Sequence, residues 1–408
     1  MTRAVLLLGA TGSTVEQLVR AAQGLDVAVH LATDRAAPQA GPAGAVRTDF
    51  RSAKALDRLA AYCARTGIEA VAAGRADLAR PAAELARRLG LPGHDPDAVG
   101  AGHDRWRTAL ALQRHGVPVP RTLGAADGAQ ALARLHAAGW TYPVLVSSPV
   151  SSTGEAVLVA EPAQLARLRR PIRGRPLAPP PGGGRPAPAL LVQEYLAGPE
   201  FGIDTVLHRG LCRHLPVVRI RCTPGPQRRT TGFTVPAGLD LHATAAVFAA
   251  VEAAVAALGL RDGVAHTSVR VTAHGVQVLG IVPVPAAQPT MQLLEQATGM
   301  STARAHLLAA LGDWPDLRPD RDRAAALRFI STDRSGVFRG FDGLAAGPHL
   351  AVVRSYREPG DRVGDAGAGS TRLGHLIVLA EDAARAEAWA DQAVAGITSR
   401  VEPFGRTT

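Results

Sequence analysis

The stretch Leu190–Asp204, LLVQEYLAGPEFGID, limits most what this chain can fold into. It opens as an apolar strand, Leu190–Gln193, presents Glu194, turns at Gly198 and Pro199, and sets Glu200 at the head of a second strand running to Leu207. Glycine and proline together mark a tight turn between two strands. A strand, an acidic residue, a glycine turn and a second acidic residue six positions later can read the edge of a nucleotide. In that reading the backbone of Gln193, Glu194, Tyr195 and Leu196 pairs with an adenine, and Glu200 accepts both hydroxyls of a ribose. A hairpin with two solvated glutamates fits the same residues.

Length allows two or three domains with sizeable cores, since the chain has 408 residues. Apolar content of 47% places it among globular proteins. Cys63, Cys212 and Cys222 are too few and too scattered for a disulfide framework or a zinc site, which suits a reducing cytoplasm. The apolar start, MTRAVLLLGATGS, ends in a glycine turn without a small-residue cleavage site and does not read as a signal peptide. No unbroken apolar run has the length of a membrane span, so no membrane partner is expected. Net charge is +10, carried by arginine except for Lys54. The arginines are dispersed and aromatics make up only 4%, so no basic stripe interleaved with stacking residues points to nucleic acid. A positive field favours small anionic ligands instead.

The first segment alternates strand and helix. Ala4–Leu8, Val27–Ala32 and Ile68–Ala73 read as strands; Thr14–Gln23, Ser52–Gly67 and Pro81–Leu89 read as helices. This alternation predicts a parallel α/β domain. Ligands of such sheets sit beyond the carboxyl ends of the strands, which makes Gly9, Thr11, Gly74, Arg75 and Asp77 the candidate substrate face. The Gly9–Gly12 loop opens a helix and could hold an anion, but it lacks a full dinucleotide fingerprint. Further on, Tyr142–Val146 reads as a strand, and the Ser147–Val157 segment that follows offers Ser151, Ser152 and Thr153 to an anion. The Arg-, Pro- and Gly-rich Arg169–Ala189 reads as a loop, and Arg228 and Arg229, in a Pro/Gly turn, join the candidate substrate residues. Gly263–Val271 and Val276–Val282 form a hairpin, and a tail with strands at Ala325–Ile330, Leu350–Val353 and Leu373–Leu379 closes with helix Ala383–Ile397.

Several passages together resemble the ATP-grasp superfamily, in its L-amino-acid ligase and biotin carboxylase-like branch. The hinge reads E-x-x-x-G-x-E at Glu194–Glu200. Leu89–Gly93 reads LGLPG, Asp104-Arg105 opens a helix where the family has Asp-Lys, and Gly116–Pro120 reads GVPVP. Tyr142–Val146 matches the strand before the family's phosphate flap, with Ser147 at a lysine position. In the tail, Pro359-Gly360-Asp361 precedes Arg372-Leu373-Gly374. The resemblance covers nearly the whole chain. It implies an ATP-grasp fold: an N-terminal parallel α/β domain over 1–120, a lid subdomain over 121–189, and a C-terminal ATP-grasp domain with an α+β tail over 190–408.

It also implies a chemistry that this chain has altered. Family members carry G-x-x-H-x-E on one strand and E-x-N-x-R on the next, and the carboxylates and asparagine hold Mg²⁺ against the ATP phosphates. Gly263, His266 and Thr267 match, but the carboxylate positions are Ser268 and Gly280, the asparagine is Val282 and the arginine is Val284. Mg²⁺ needs hard oxygen ligands, so ATP is an expected ligand and Mg²⁺ an absent or weak one. Arg105 keeps a cation in forked form; Ser147 does not. Three functions follow: a pseudo-ligase that binds a small anionic or amino acid-like metabolite, alone, as a homodimer or beside an active paralogue; an active carboxylate–amine ligase with a rearranged site; or acid–base chemistry without ATP, carried by His266 or Glu194.

Overall fold

The computed structural model describes residues 2–9, 13–34, 43–50, 52–149, 156–168, 188–223, 227–286, 288–344, 347, 349–364 and 371–404. Strands β1 (Arg3–Leu8), β2 (Val27–Thr33), β3 (Gly44–Arg47) and β4 (Ala70–Ala73) form a parallel sheet in the order β3-β2-β1-β4. β1 is central, and everything after Arg3 in it is buried. A parallel strand buried on both faces is a continuous apolar run rather than an alternating one, which is what Ala4–Leu8 spells. Helices α1 (Ser13–Gln23), α2 (Ala55–Thr66) and α3 (Ala79–Leu89) pack on it. α2 and α3 stop at Gly67 and Gly90, both left-handed with φ 66°, the usual glycine C-cap. Helices α4 (Pro96–His103) and α5 (Arg105–Arg114) follow, each capped by an aspartate whose side chain accepts two backbone N–H groups, Asp95 and Asp104 respectively.

The next unit is a five-stranded antiparallel sheet containing β5 (Thr122–Ala125), β6 (Val144–Ser147), β7 (Ala156–Val159) and β8 (Leu190–Glu194), with helices α6 (Gly128–Ala137) and α7 (Pro162–Ala166). The strand read at the head of the C-terminal region thus lies inside the lid sheet, between β5 and β6. The fifth strand, β12 (Gln227–Arg228), comes from far along the chain and pairs with Ala156 and Val157 of β7. Arg228 was expected in a turn. Its backbone is drawn into a ladder because β7 offers it an open edge.

The largest sheet runs β15-β14-β9-β11-β13-β16-β20-β18, with β10 also on β9. Its strands are β9 (Glu200–His208), β10 (Leu211–His214), β11 (Val218–Cys222), β13 (Thr230–Val235), β14 (Gly263–Thr272), β15 (Gly275–Val282), β16 (Ala324–Thr332), β18 (Leu350–Ser355) and β20 (Thr371–Ala380). On one face, helix α8 (Leu241–Leu258) sets Val247, Val251 and Val255 against Ile203, Ala265 and Val269. On the other, α9 (Gln288–Thr298) and α10 (Thr302–Ala310) set Leu293, Ala297 and Ala305 against Val206 and Val264. A small sheet of β17 (Gly336–Asp342), β19 (Arg362–Val363) and β21 (Thr398–Glu402), and helix α11 (Ala383–Ala395) behind β16 and β20, complete the tail.

α8 is long and apolar enough to cross a membrane by length and composition alone, and 28% of its residues are buried here. Its sequence is interrupted by His242, Thr244 and Glu252, which is why no unbroken run was read there. Glu252 meets His214 Nε2 of β10 at 3.1 Å, and the Val247–Leu258 face is core.

Candidate nucleotide and substrate cleft

Side chains on a strand alternate between faces, so the face of β9 and β14 that carries Val206 and Val264 also carries Glu200, Gly202 and Asp204, and His266, Ser268 and Arg270. Strand pairing makes these into rows: Glu200 opposite Arg270, Gly202 opposite Ser268, Asp204 opposite His266. Each polar row is closed. Arg270, 3% exposed, donates to Glu200 Oε2 at 2.5 Å and to the Leu196 carbonyl at 3.0 Å. His266 Nδ1 meets Asp204 Oδ1 at 2.7 Å, and that oxygen also accepts the Ala286 N–H at 3.0 Å. A carboxylate only accepts, so the His266 proton sits on Nδ1.

The middle row carries no carboxylate. Ser268 is the register partner of Gly280 on β15, and His266 that of Val282. Where the sequence resemblance led to an expectation of two carboxylates, a serine and a glycine therefore face one another. Val282 and Val284 turn into the core of the N-terminal domain with Val71, Ala73 and Val99. Among the described residues no group of three or more His, Cys, Asp or Glu could hold a metal ion.

Opposite this floor stands the lid sheet. Asp104 caps α5 and so fixes Arg105 at its first helical position. Arg105 Nη1 donates to Ser147 Oγ at 3.2 Å, its Nη2 to Gln193 Oε1 at 3.1 Å, and its N–H to the Pro149 carbonyl at 2.9 Å. Gln193 in turn donates to Thr122 Oγ1. Burial pushes the Arg105 guanidinium below the usual arginine range, and the nearby Glu200 carboxylate opposes that shift. Arg105, Ser147, Gln193 and Glu200 are thus brought together. Ser147 is 2% exposed and Gln193 7%, so both serve mainly to hold Arg105.

Other expected residues are occupied differently. Glu194 Oε1 accepts the Arg121 N–H at 2.8 Å and its Oε2 the Arg121 guanidinium at 2.7 Å, so its carboxylate holds the chain entering β5. Tyr195 is 36% exposed at the hinge. On the N-terminal sheet, the Gly9 and Gly74 N–H groups bond the Ala32 and Leu8 carbonyls. Gly9 has φ +66°, and a Cβ there would lie 2.0 Å from Leu78, so the turn and the packing both require glycine. Arg75 is bonded by Asp77 and Asp34, which neutralise it at the carboxyl edge. The Arg229 N–H bonds Thr223 Oγ1 at the edge of the lid. Thr11, Ser151, Ser152, Thr153 and the Arg228 side chain lie outside the described residues, as does most of Arg169–Ala189. Asp204, Arg270, His94 and His306 were not singled out from the sequence. The first two could have been, because each follows its neighbour in the hairpin pattern at even spacing on the same strand face.

Residues 328–402 match the family model for L-amino acid ligase C-terminal domain 2. The uncharacterized protein y4rH of Sinorhizobium fredii (strain NBRC 101917 / NGR234) is 26% identical over 329 residues, 79% of this chain and 66% of its own length; the match thus spans just under two thirds of that relative. The L-amino acid ligase of Bacillus licheniformis superposes with a TM-score of 0.82 at 19% identity, over 98% of this chain and 99% of its own. The N5-carboxyaminoimidazole ribonucleotide synthetase of Thermotoga maritima gives 0.72 at 15% identity, over 98% and 100%. The biotin carboxylase domain of Hydrogenobacter thermophilus 2-oxoglutarate carboxylase, solved with MgADP, ADP and bicarbonate, gives 0.70 at 14% identity, over 97% and 90%. The fold class read from the sequence is the one observed: this chain has the ATP-grasp fold, with a match to L-amino acid ligase C-terminal domain 2 confined to residues 328–402.

Proposed function

We propose that this protein is a pseudo-ligase: an ATP-grasp protein that binds an adenine nucleotide at the hinge and a small anionic or amino acid-like metabolite beside the N-terminal sheet, without magnesium-dependent acyl phosphate formation. The observation that carries this reading is the Ser268–Gly280 pair. A divalent cation on that floor would lose hydration and gain one neutral hydroxyl, with apolar Val282 beside it. Arg105, held by Ser147 and Gln193, keeps one cation for a phosphate. Phosphoryl transfer depends on positioning and on several charges together, and one arginine does not replace a lysine pair and two metal ions. We place the protein in the cytoplasm, where an active relative is a natural partner.

A second reading has a specific support. His266 is oriented by a buried aspartate at 2.7 Å, as a general base is, so metal-free acid–base chemistry on the same floor is the alternative.

The test is formation of amide product, with release of ADP and phosphate, from ATP and a panel of amino acids, in EDTA and in Mg²⁺. The expected outcome is no amide product in either. Product formation abolished by EDTA and restored by Mg²⁺ would replace this reading with that of a working ligase.

A further inference from the structure

Beyond the Asp204–His266 row, on the same sheet face, lies a small cavity of about 40 Å³ between the N-terminal domain and β14. It is lined by His94, His306, Asp262, Val264, Ala73 and Val284, among others. His306, on α10 and only 7% exposed, bonds the Ala73 carbonyl through Nε2 at 3.1 Å. His94, in the loop before α4, meets the Val264 carbonyl through Nε2 at 3.4 Å. A carbonyl only accepts, so in both rings Nε2 carries the proton and Nδ1 is left as an acceptor. Neither Nδ1 has a protein partner, and both are buried. Asp204, 3% exposed, ends the series: its Oδ1 is used by His266 and Ala286, and its Oδ2 is buried with no protein partner.

Two of these three buried acceptors belong to residues that line the cavity, and the third to the Asp204–His266 row beside it. The Asp204 charge is felt at His306 and that of Asp262 at His94. No arginine or lysine lines the cavity among the described residues. Burial holds His94 down at about 4, so its ring is neutral at physiological pH and adds no positive charge. The occupant such a place selects is small, rich in donors and positive. A water needs roughly 10–15 Å³ of this kind of space, so the volume suits one or two molecules of that size. Bulkier amines are refused by the Ala73, Val264 and Val284 walls.

We propose that this cavity is an ammonium site, held by His94 Nδ1 and His306 Nδ1 and placed one strand row from the Asp204–His266 pair that borders the cleft. The binding does not rest on the function proposed above.

The full chain, labelled with ¹⁵N-histidine and free of nucleotide, is titrated with ammonium chloride, and with potassium chloride at matched ionic strength. The Nδ1 resonances of His94 and His306 should shift saturably with ammonium and not with potassium. His306→Leu should weaken ammonium binding by at least about tenfold, and Asp204→Asn should weaken it less. If His306→Leu does not fold, the wild-type comparison of the two cations still decides. Resonances that stay fixed, or that move equally with potassium, would mean that the cavity holds only water and would overturn the proposal. Because no nucleotide is present, failure of the pseudo-ligase reading would leave this result intact.

Discussion

Glu200→Ala should cost the folded protein about 3 kcal/mol, before any ligand is considered, because it leaves the Arg270 guanidinium buried without its counter-charge. Arg270 is 3% exposed and has Glu200 Oε2 at 2.5 Å and the Leu196 carbonyl at 3.0 Å. Its Nε has no protein partner, so the environment has little left with which to compensate. Removing one partner of such a pair costs far more than removing both. The double variant Glu200→Ala with Arg270→Leu should therefore recover most of the lost stability. Urea unfolding of the wild type, the single variant and the double variant measures this directly. A single variant as stable as the wild type would mean that the ion pair is not formed in solution. The result also bears on the ribose role: weaker nucleotide binding by Glu200→Ala reports a disturbed hinge as well as a lost hydroxyl acceptor, and Glu200→Gln is the cleaner probe.

The second large effect is a gain. Ser268→Glu with Gly280→Glu should turn the cleft floor into a divalent-metal site. The two positions are register partners on neighbouring strands, where side chains stand close enough to interact. A Cβ on Gly280 meets nothing within 4 Å, and that glycine is not held in the left-handed region, so the backbone accepts the longer side chain. Without metal, the two carboxylates repel and the double variant should be less stable than the wild type. A metal at one hundred times its dissociation constant should then restore about 2.7 kcal/mol. Thermal unfolding with and without Mn²⁺ reads this out. The wild type should be indifferent to the ion. A wild-type midpoint that rises as much as that of the double variant would show that ligands outside this hairpin bind the ion.

Both predictions depend on strand register, which is the part of the molecule the sequence carries least openly. The buried run Ala4–Leu8, the amphipathic helices with their glycine stops, and the Glu200–Leu207 and Gly263–Val271 strands were legible because burial writes itself locally as apolar runs and periods. Elements without that signature were missed. β21 is polar, β10 is a four-residue edge strand, and β17 is paired on both sides by distant segments. β12 exists only because β7 has an edge to offer. In the cleft, Glu200, His266 and Ser268 were named from motif spacing. Their partners Arg270 and Asp204 were not, because contacts across 70 and 62 residues are fixed by register rather than by neighbourhood. The bond of Glu194 to Arg121 was hidden in the same way, since it arises from the pairing of β8 with β5.

The sequence resemblance is what led to an expectation of metal ligands at Ser268 and Gly280, and the pairing of β14 with β15 gives their neutral side chains a consequence. It turns two separate substitutions into one neutral patch, flanked by a closed His266–Asp204 pair and a closed Arg270–Glu200 pair. The most direct measurement is calorimetric titration of the wild-type protein with ATP in EDTA and again in excess Mg²⁺. Binding with the same dissociation constant in both, weakened by Arg105→Met, is the predicted result. Binding that appears only with Mg²⁺, or tightens by tenfold or more when it is added, would contradict the account.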